Sequence, residues 1–312
     1  VLCDAGNEVL LWGRNAETIG EINTSHTNQR YLAGQVLPTT LRATTDLDEA
    51  FAFSQTYVLA IPSTQLRATL NEWKGRFSSD CTIVSTLKGI EVSTMLRMTE
   101  IIEEVLGKHK VAILTGPNLA DELILRQPAG AVAASTSQAV AENVRELFRT
   151  PYYRVYTSVD LLGCELAGAI KNVIALAVGI SIGMGYGENT QAMLITRGLN
   201  EVARLCAAHG SDPLSAAGLA GMGDLVATCS SPLSRNRSFG ERLGRGLGLS
   251  QAQSETKTTA EGVSSAAAVL ELAREYGIDM PIVEAVVDVV ANGMPPKEVV
   301  RRLMSRTTRS EH

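Results

Sequence analysis

Aromatic residues make up only 4% of this chain, although hydrophobic residues reach 45%. A core of bulky rings is therefore excluded. Burial must rest on Ala, Val, Leu and Ile, a composition that suits parallel sheets and closely packed helices. Excess positive charge is also lacking. A net charge of −5 over 312 residues argues against a general nucleic-acid binder, while leaving room for a local basic pocket. The five cysteines (Cys3, Cys81, Cys164, Cys206, Cys229) are scattered without a CxxC pair, and His26, His109, His209 and His312 do not gather around them. That pattern argues against a metal site and a disulfide framework, and free thiols fit the cytoplasm. No secretory signal is visible. The longest apolar stretch is interrupted by Glu165, Lys171, Asn172 and several glycines, which reads as too broken for a membrane span of about 20 residues.

Two more absences bear on nucleotide binding. A dinucleotide fold carries G-x-G-x-x-G between its first strand and first helix. Here Val1 already stands in what reads as a helix end closed by Gly6, so the sequence reads as a fragment or trimmed chain that begins after that loop. Gly183-Met-Gly185-Tyr-Gly187 and Gly221-Met-Gly223-Asp224 lie in the helical half and follow no strand. Their glycines suit close approach of backbone or substrate instead. The next strand ends in Gly13-Arg14-Asn15, without the acid that often holds the ribose hydroxyls of NAD. Arg14 suits the 2′-phosphate of NADP(H), although a solvated surface arginine explains it equally well.

What is present has a clear rhythm. Strands are expected at 8–12, 56–61, 82–86, 111–115, 129–134 and 152–156, with helical patterns between them and Ser63 as the N-cap of a helix through Leu70. The rhythm implies a doubly wound parallel sheet. After about Asp160 the pattern is helical throughout: 161–182, 190–208, 223–229, 260–276, 281–292 and 295–304. The expected fold is thus α/β: a Rossmann-like parallel-sheet domain over residues 1–158, lacking its first strand and glycine loop, followed by an all-helical substrate or catalytic domain over 159–312.

Candidate chemistry concentrates on a few positions. Lys171 sits in the middle of an apolar helix, with Ala167, Ile174, Ala175 and Val178 around it at helical spacing. Loss of hydration favours a neutral amine and lowers the pKa, which suits proton exchange near neutral pH. A lysine that snorkels to the helix surface is the bland alternative. Lys88 follows a strand end, where an ammonium could polarise a carbonyl or meet a phosphate, or simply be solvated. Gly116-Pro117-Asn118 joins strand to helix and suits an anion or an ordinary turn. Ser234-Arg235-Asn236-Arg237 offers phosphate donors, or a solvated charge cluster with Arg242 and Arg245. Asp224 could orient a lysine, receive a hydroxyl or cap a helix.

These segments form an ordered series: Trp12-Gly13-Arg14-Asn15, Ala60-Ile61-Pro62-Ser63, Ser85 to Glu91, Thr115 to Ala120, Ala169 to Val173, Gly218 to Leu225, Ser234-Arg235-Asn236 and Ala260 to Val263. The series resembles the bacterial NAD(P)-dependent glycerol-3-phosphate dehydrogenases and runs from Val1 to about Met304. The resemblance implies interconversion of sn-glycerol 3-phosphate and dihydroxyacetone phosphate with NADPH or NADH, for glycerophospholipid synthesis. It implies Lys171 as proton acceptor and donor at the C2 oxygen. Lys88, Gly116, Asn118, Asp224, Ser234, Arg235 and Asn236 would bind the triose phosphate. Arg14, Lys88, Ala120, Arg235, Thr259 and Glu261 would bind the cofactor. No metal, nucleic acid or membrane insertion is expected, and a homodimer is possible. Two alternatives stand beside this: another β-hydroxyacid dehydrogenase with a catalytic lysine, acting on carboxylates, and a non-catalytic binding or assembly fragment.

Overall fold

In a computed structural model the chain folds as two compact units. The structure describes residues 1–255 and 260–307. One unit comprises Val1–Leu87 and Thr99–Leu161, the other Lys88–Met98 and everything from Leu162 on.

The first unit opens on a closing helical turn. Gly6 donates to the carbonyl of Cys3 and Asn7 to that of Leu2, with Gly6 at φ +87°, the paired bonds of a glycine-terminated helix end. β1 (Val9–Trp12) then pairs in parallel with β4 (Leu41–Thr44), while β2 (Thr27–Asn28) and β3 (Leu32–Val36) form an antiparallel hairpin. A five-stranded sheet follows in chain order: β5 (Thr56–Leu59), β6 (Thr82–Ser85), β7 (Lys110–Thr115), β8 (Ala129–Ala134) and β9 (Tyr153–Ser158). Its pairs are parallel except β7 with β8. The wholly parallel, doubly wound sheet expected from the rhythm is corrected at that pair. A parallel partner needs a crossover long enough to carry the chain back, usually a full helix, and only the short helix Ala120–Ile124 joins β7 to β8.

Burial follows position in the sheet. β6 buries Ile83 and Val84 on both faces, as an interior strand of such a sheet should. β9 alternates, with Tyr153 and Val155 in and Arg154 and Tyr156 out, because it lies at the edge. The helix Gln138–Phe148 presents Val140, Ala141, Val144 and Phe148 as one buried stripe, and the small residues of β8 form part of the same core. The scarce aromatics are not dispersed. Trp12, Phe51, Tyr57, Trp73 and Phe77 pack largely edge to face at 4.9–5.8 Å, which ties β1 to β5 although the two strands belong to different sheets. Ser63 does not cap an α-helix as expected. Pro62 takes the preceding position, Ser63–Gln65 forms a 3₁₀ turn, and the α-helix is Leu66–Trp73.

The second unit is built around the helix Leu161–Gly183, buried on all sides for most of its length. Its interrupting residues do not break it. The helix is long and apolar enough to cross a membrane, with a mean hydropathy of 1.8, so the expectation that it is too broken is corrected. Burial of 83% of that window inside the protein accounts for its apolar character. Two glycine pairs bring this helix against Arg235–Gly244. A Cβ at Gly179 would lie 2.0 Å from the Arg237 carbonyl oxygen, and one at Gly240 would lie 2.3 Å from that of Leu176. Gly183 and Gly244 repeat the arrangement one turn on, with Cα atoms in mutual approach. Glycine at i and i+4 on both helices lets the backbones touch, which larger residues forbid. Gly262 does the same where Glu261–Glu275 begins, since its Cβ would lie 2.5 Å from the Asn172 carbonyl oxygen. These contacts set Ser234-Arg235-Asn236 and Glu261 beside the middle of the buried helix.

Candidate active site

Lys171 lies at the centre of that helix with 7% of its surface exposed, so it does not snorkel. Its Nζ donates to Asp224 Oδ1 at 2.6 Å and to Thr228 Oγ1 at 2.6 Å. The other carboxylate oxygen of Asp224 accepts from Lys88 Nζ. One buried carboxylate therefore bridges two ammonium groups. Asp224 is 2% exposed and begins the helix Asp224–Ser230, after a π-helical turn at Leu219–Gly223. That turn is possible because Gly221 packs onto Ala216, where a Cβ would lie 2.0 Å from the carbonyl oxygen. Such turns re-aim the following residue, and here Asp224 points to the lysines rather than capping its own helix. Thr228, one turn later on the same face, reaches both Lys171 and Asp224. The sequence reading missed it, although its i+4 spacing from Asp224 was a usable signal.

The electrostatics favour proton exchange. Burial is the main influence on Lys171 and the positive charge of Lys88 the next; Asp224 and Glu261 oppose them, and the pKa comes down from 10.5 to about 8. That fall corresponds to about 3 kcal/mol of lost ammonium stabilisation relative to water. Burial would raise the Asp224 carboxyl, but Lys88 and Lys171 outweigh it and hold the group below its ordinary value. Asp224 is thus the fixed negative charge between two positive ones, and a single positive charge is left over when both lysines are protonated.

The surrounding polar residues are ordered by the helix contacts. Asn172 Nδ2 donates to Glu261 Oε2 at 3.3 Å. Asn236 Oδ1 accepts from Gly262 N at 2.9 Å, capping a helix whose own N-cap, Ala260, has no acceptor side chain. Ser234 caps Arg235–Gly244 through its bond from Arg237 N at 3.3 Å, while Arg235 is exposed and its guanidinium is accessible. The second unit thus carries Lys88, Lys171, Asp224, Ser234, Arg235, Asn236 and Glu261. Thr259 lies outside the described residues.

Arg14, Gly116, Asn118 and Ala120 belong to the first unit. Arg14 is exposed after β1 and donates to Gln65 Oε1 at 3.0 Å. Asn118 Oδ1 accepts from Tyr153 Oη at 2.9 Å, which fixes the amide after β7. Ala120 opens the helix Ala120–Ile124. Gly116 adopts φ +135°, and a Cβ there would press on Ala131 and Gly130 at 3.1 Å. Beside it Thr115 Oγ1 is buried without a hydrogen-bond partner among the described residues. An orphaned hydroxyl and a glycine cradle at a strand's carboxyl end fit the edge of a nucleotide site in an α/β sheet. No group of His, Cys, Asp and Glu able to hold a metal occurs among the described residues, and all five cysteines are free thiols.

Residues 1–141 match the family model described as NAD-dependent glycerol-3-phosphate dehydrogenase N-terminus, and residues 160–301 match the corresponding C-terminus. Glycerol-3-phosphate dehydrogenase [NAD(P)+] of Thermobifida fusca is 52% identical over 314 residues, covering 100% of this chain and 94% of that protein. The protein of the same name from Streptomyces avermitilis is 51% identical over 313 residues, covering 100% and 93%. The crystal structure of glycerol-3-phosphate dehydrogenase from Coxiella burnetii superposes with a TM-score of 0.92 at 32% identity, covering 98% of this chain and 94% of that one. The chain belongs to the NAD-dependent glycerol-3-phosphate dehydrogenase family.

Proposed function

We propose that the protein interconverts sn-glycerol 3-phosphate and dihydroxyacetone phosphate with NADPH or NADH, in the cytoplasm, and so supplies glycerophospholipid synthesis. The observation that carries this is the Lys88–Asp224–Lys171 array, one carboxylate held between two ammonium groups in a dry setting. The first unit serves as the nucleotide-binding domain and the second as the catalytic domain. The bound nicotinamide supplies or accepts the hydride at C2.

Every other step belongs to side chains. Lys171 commits two of its three N–H donors to Asp224 and Thr228, and the third serves the substrate oxygen. In reduction the ammonium protonates the nascent alkoxide at C2. In oxidation the neutral amine takes the proton of the C2 hydroxyl. Lys88 stabilises negative charge on the same oxygen. Arg235 and the amide of Asn236 bind the phosphate, and Ser234 donates its hydroxyl, so that remote binding orients the reacting carbon. Gly116 and Asn118 complete the substrate site. Arg14, Lys88, Ala120, Arg235, Thr259 and Glu261 hold the cofactor, with Arg14 suited to a 2′-phosphate. A homodimer through the second unit is part of the same proposal. Met193 and Met304 are exposed at an apolar cavity of about 460 Å³, and their burial against a second copy would remove that surface from water.

The test is initial-rate kinetics of the full-length protein in both directions: dihydroxyacetone phosphate with NADPH, and glycerol 3-phosphate beside 3-hydroxy acids with NADP+. Lys171→Ala should abolish turnover while cofactor binding survives. Near-normal turnover in that variant, or a preference for hydroxy acids, would sink the reading.

A further inference from the structure

Lys88 is carried by an unusual stretch of chain. Lys88–Met98 follows β6, yet it is part of the helical unit. The stretch is closed on itself: Glu91 N donates to Leu96 O at 2.9 Å, Met95 N donates to Glu91 O at 2.8 Å, and Ile90 forms an antiparallel bridge with Arg97. Ile90 is buried in the same core as Leu166 and Ile170 of the long helix.

At the far end Arg97 Nη1 donates to Glu165 Oε2 at 2.5 Å, and both side chains are largely buried. Glu165 stands on the helix Leu161–Gly183, six positions before Lys171. A buried ion pair is a poor choice if stability alone is at stake, because apolar residues of similar volume often serve as well. What it adds is direction, since a guanidinium and a carboxylate pair in a narrow range of geometries.

Resting on the reading of Lys88, Asp224 and Lys171 as the reacting centre, we propose that Arg97 and Glu165 are positioning residues that anchor the Lys88 stretch to the Lys171 helix and so hold Lys88 on Asp224. The bridge between Ile90 and Arg97 transmits the anchor. The ion pair fixes Arg97, Arg97 fixes Ile90, and Lys88 is two residues away along the backbone. Without the anchor Lys88 drifts from Asp224, and Lys171 loses its charged neighbour. The other ionisable groups facing Lys171 are Asp224 and the buried Cys229 thiol on the helix Asp224–Ser230, and Glu261 on the helix Glu261–Glu275.

The experiment measures kcat, KM and the pH dependence of kcat/KM for Arg97→Ala, Arg97→Lys, Glu165→Gln and the reversed pair R97E/E165R, beside Lys88→Ala and Lys171→Ala. For Arg97→Ala, kcat should fall about 10–100-fold, the cost of a misplaced catalytic group. The pH limb should move to higher pH in the same sense as for Lys88→Ala. Arg97→Lys and the reversed pair should recover part of the rate and of the limb. Unchanged kinetics would overturn the proposal. So would a loss that follows the unfolded fraction alone with the limb unmoved, in Arg97→Ala or, should that variant not fold, in Glu165→Gln. Near-normal turnover of Lys171→Ala would instead defeat the underlying reading of the site.

Discussion

Asp224 accepts from Lys171 through Oδ1 at 2.6 Å and from Lys88 through its second oxygen, so a single buried carboxylate bridges both lysines. The substitution Asp224→Asn keeps the shape but removes the negative charge. The influence that raises the Lys171 pKa is then lost, and the pH limb of turnover should move to lower pH. The rate should fall on the order of a hundredfold. A pH–rate series on this variant checks both.

The two reaction directions should respond oppositely to pH. Lys171 carries a pKa of about 8. Oxidation needs the neutral amine and should accelerate as pH rises through that value, whereas reduction needs the ammonium and should slow. Steady-state rates in each direction between about pH 6 and about 9.5 test this. Parallel profiles in both directions would remove Lys171 from proton transfer.

Thr228→Val takes one acceptor from Lys171 and leaves volume unchanged. A hydrogen bond to a charged group contributes about 1.5–3 kcal/mol, so turnover should fall at least about tenfold with little change in cofactor KM. Kinetics of that variant provide the measurement.

Gly179→Ala and Gly240→Ala should loosen the catalytic unit. Each new methyl meets a backbone carbonyl of the facing helix at 2.0 Å and 2.3 Å, which no rotamer change relieves. A loss of about 3 kcal/mol or more is expected from such overpacking, read by urea denaturation.

Glu201 provides a prediction away from the reacting centre. Its carboxylate accepts from Ile282 N at 2.8 Å and Val283 N at 3.3 Å, so it caps the helix Pro281–Val290 from a neighbouring helix. Burial pushes its pKa up to about 7 against these two donors, with Arg204 lowering and Asp279 raising it slightly. A carboxyl raised on folding contributes stability below its unfolded value near 4.5, and that contribution is lost as pH climbs to about 7. Relative to Glu201→Gln, the native protein should therefore lose about 3 kcal/mol between pH 4.5 and pH 7. Denaturation midpoints of both proteins at the two ends of that window decide it.

Much of this was legible in the sequence. Strand and helix periodicity located β5 to β9 and most of the longer helices from Leu161 on, because each buries a face whose spacing is local, but it did not locate Arg235–Gly244, whose arginines and glycines mask its buried face. Lys171 was conspicuous for the same reason, as a charge inside an apolar helix. The antiparallel turn between β7 and β8 was not legible, since strand direction depends on where the chain lands after a short connection. Nor was β4, whose four residues alternate too briefly to stand out from a loop.

The amino-acid sequence by itself determined the class of the longer segments and most of the residue types of the site, because propensity and patterning act over a few neighbouring positions. Only the tertiary structure decided that Asp224 joins Lys88 to Lys171, that Arg97 pairs with Glu165, and that Gly179 and Gly183 exist to let a second helix in. Those relationships join positions far apart in the chain, and their energies exist only once water has been excluded between them.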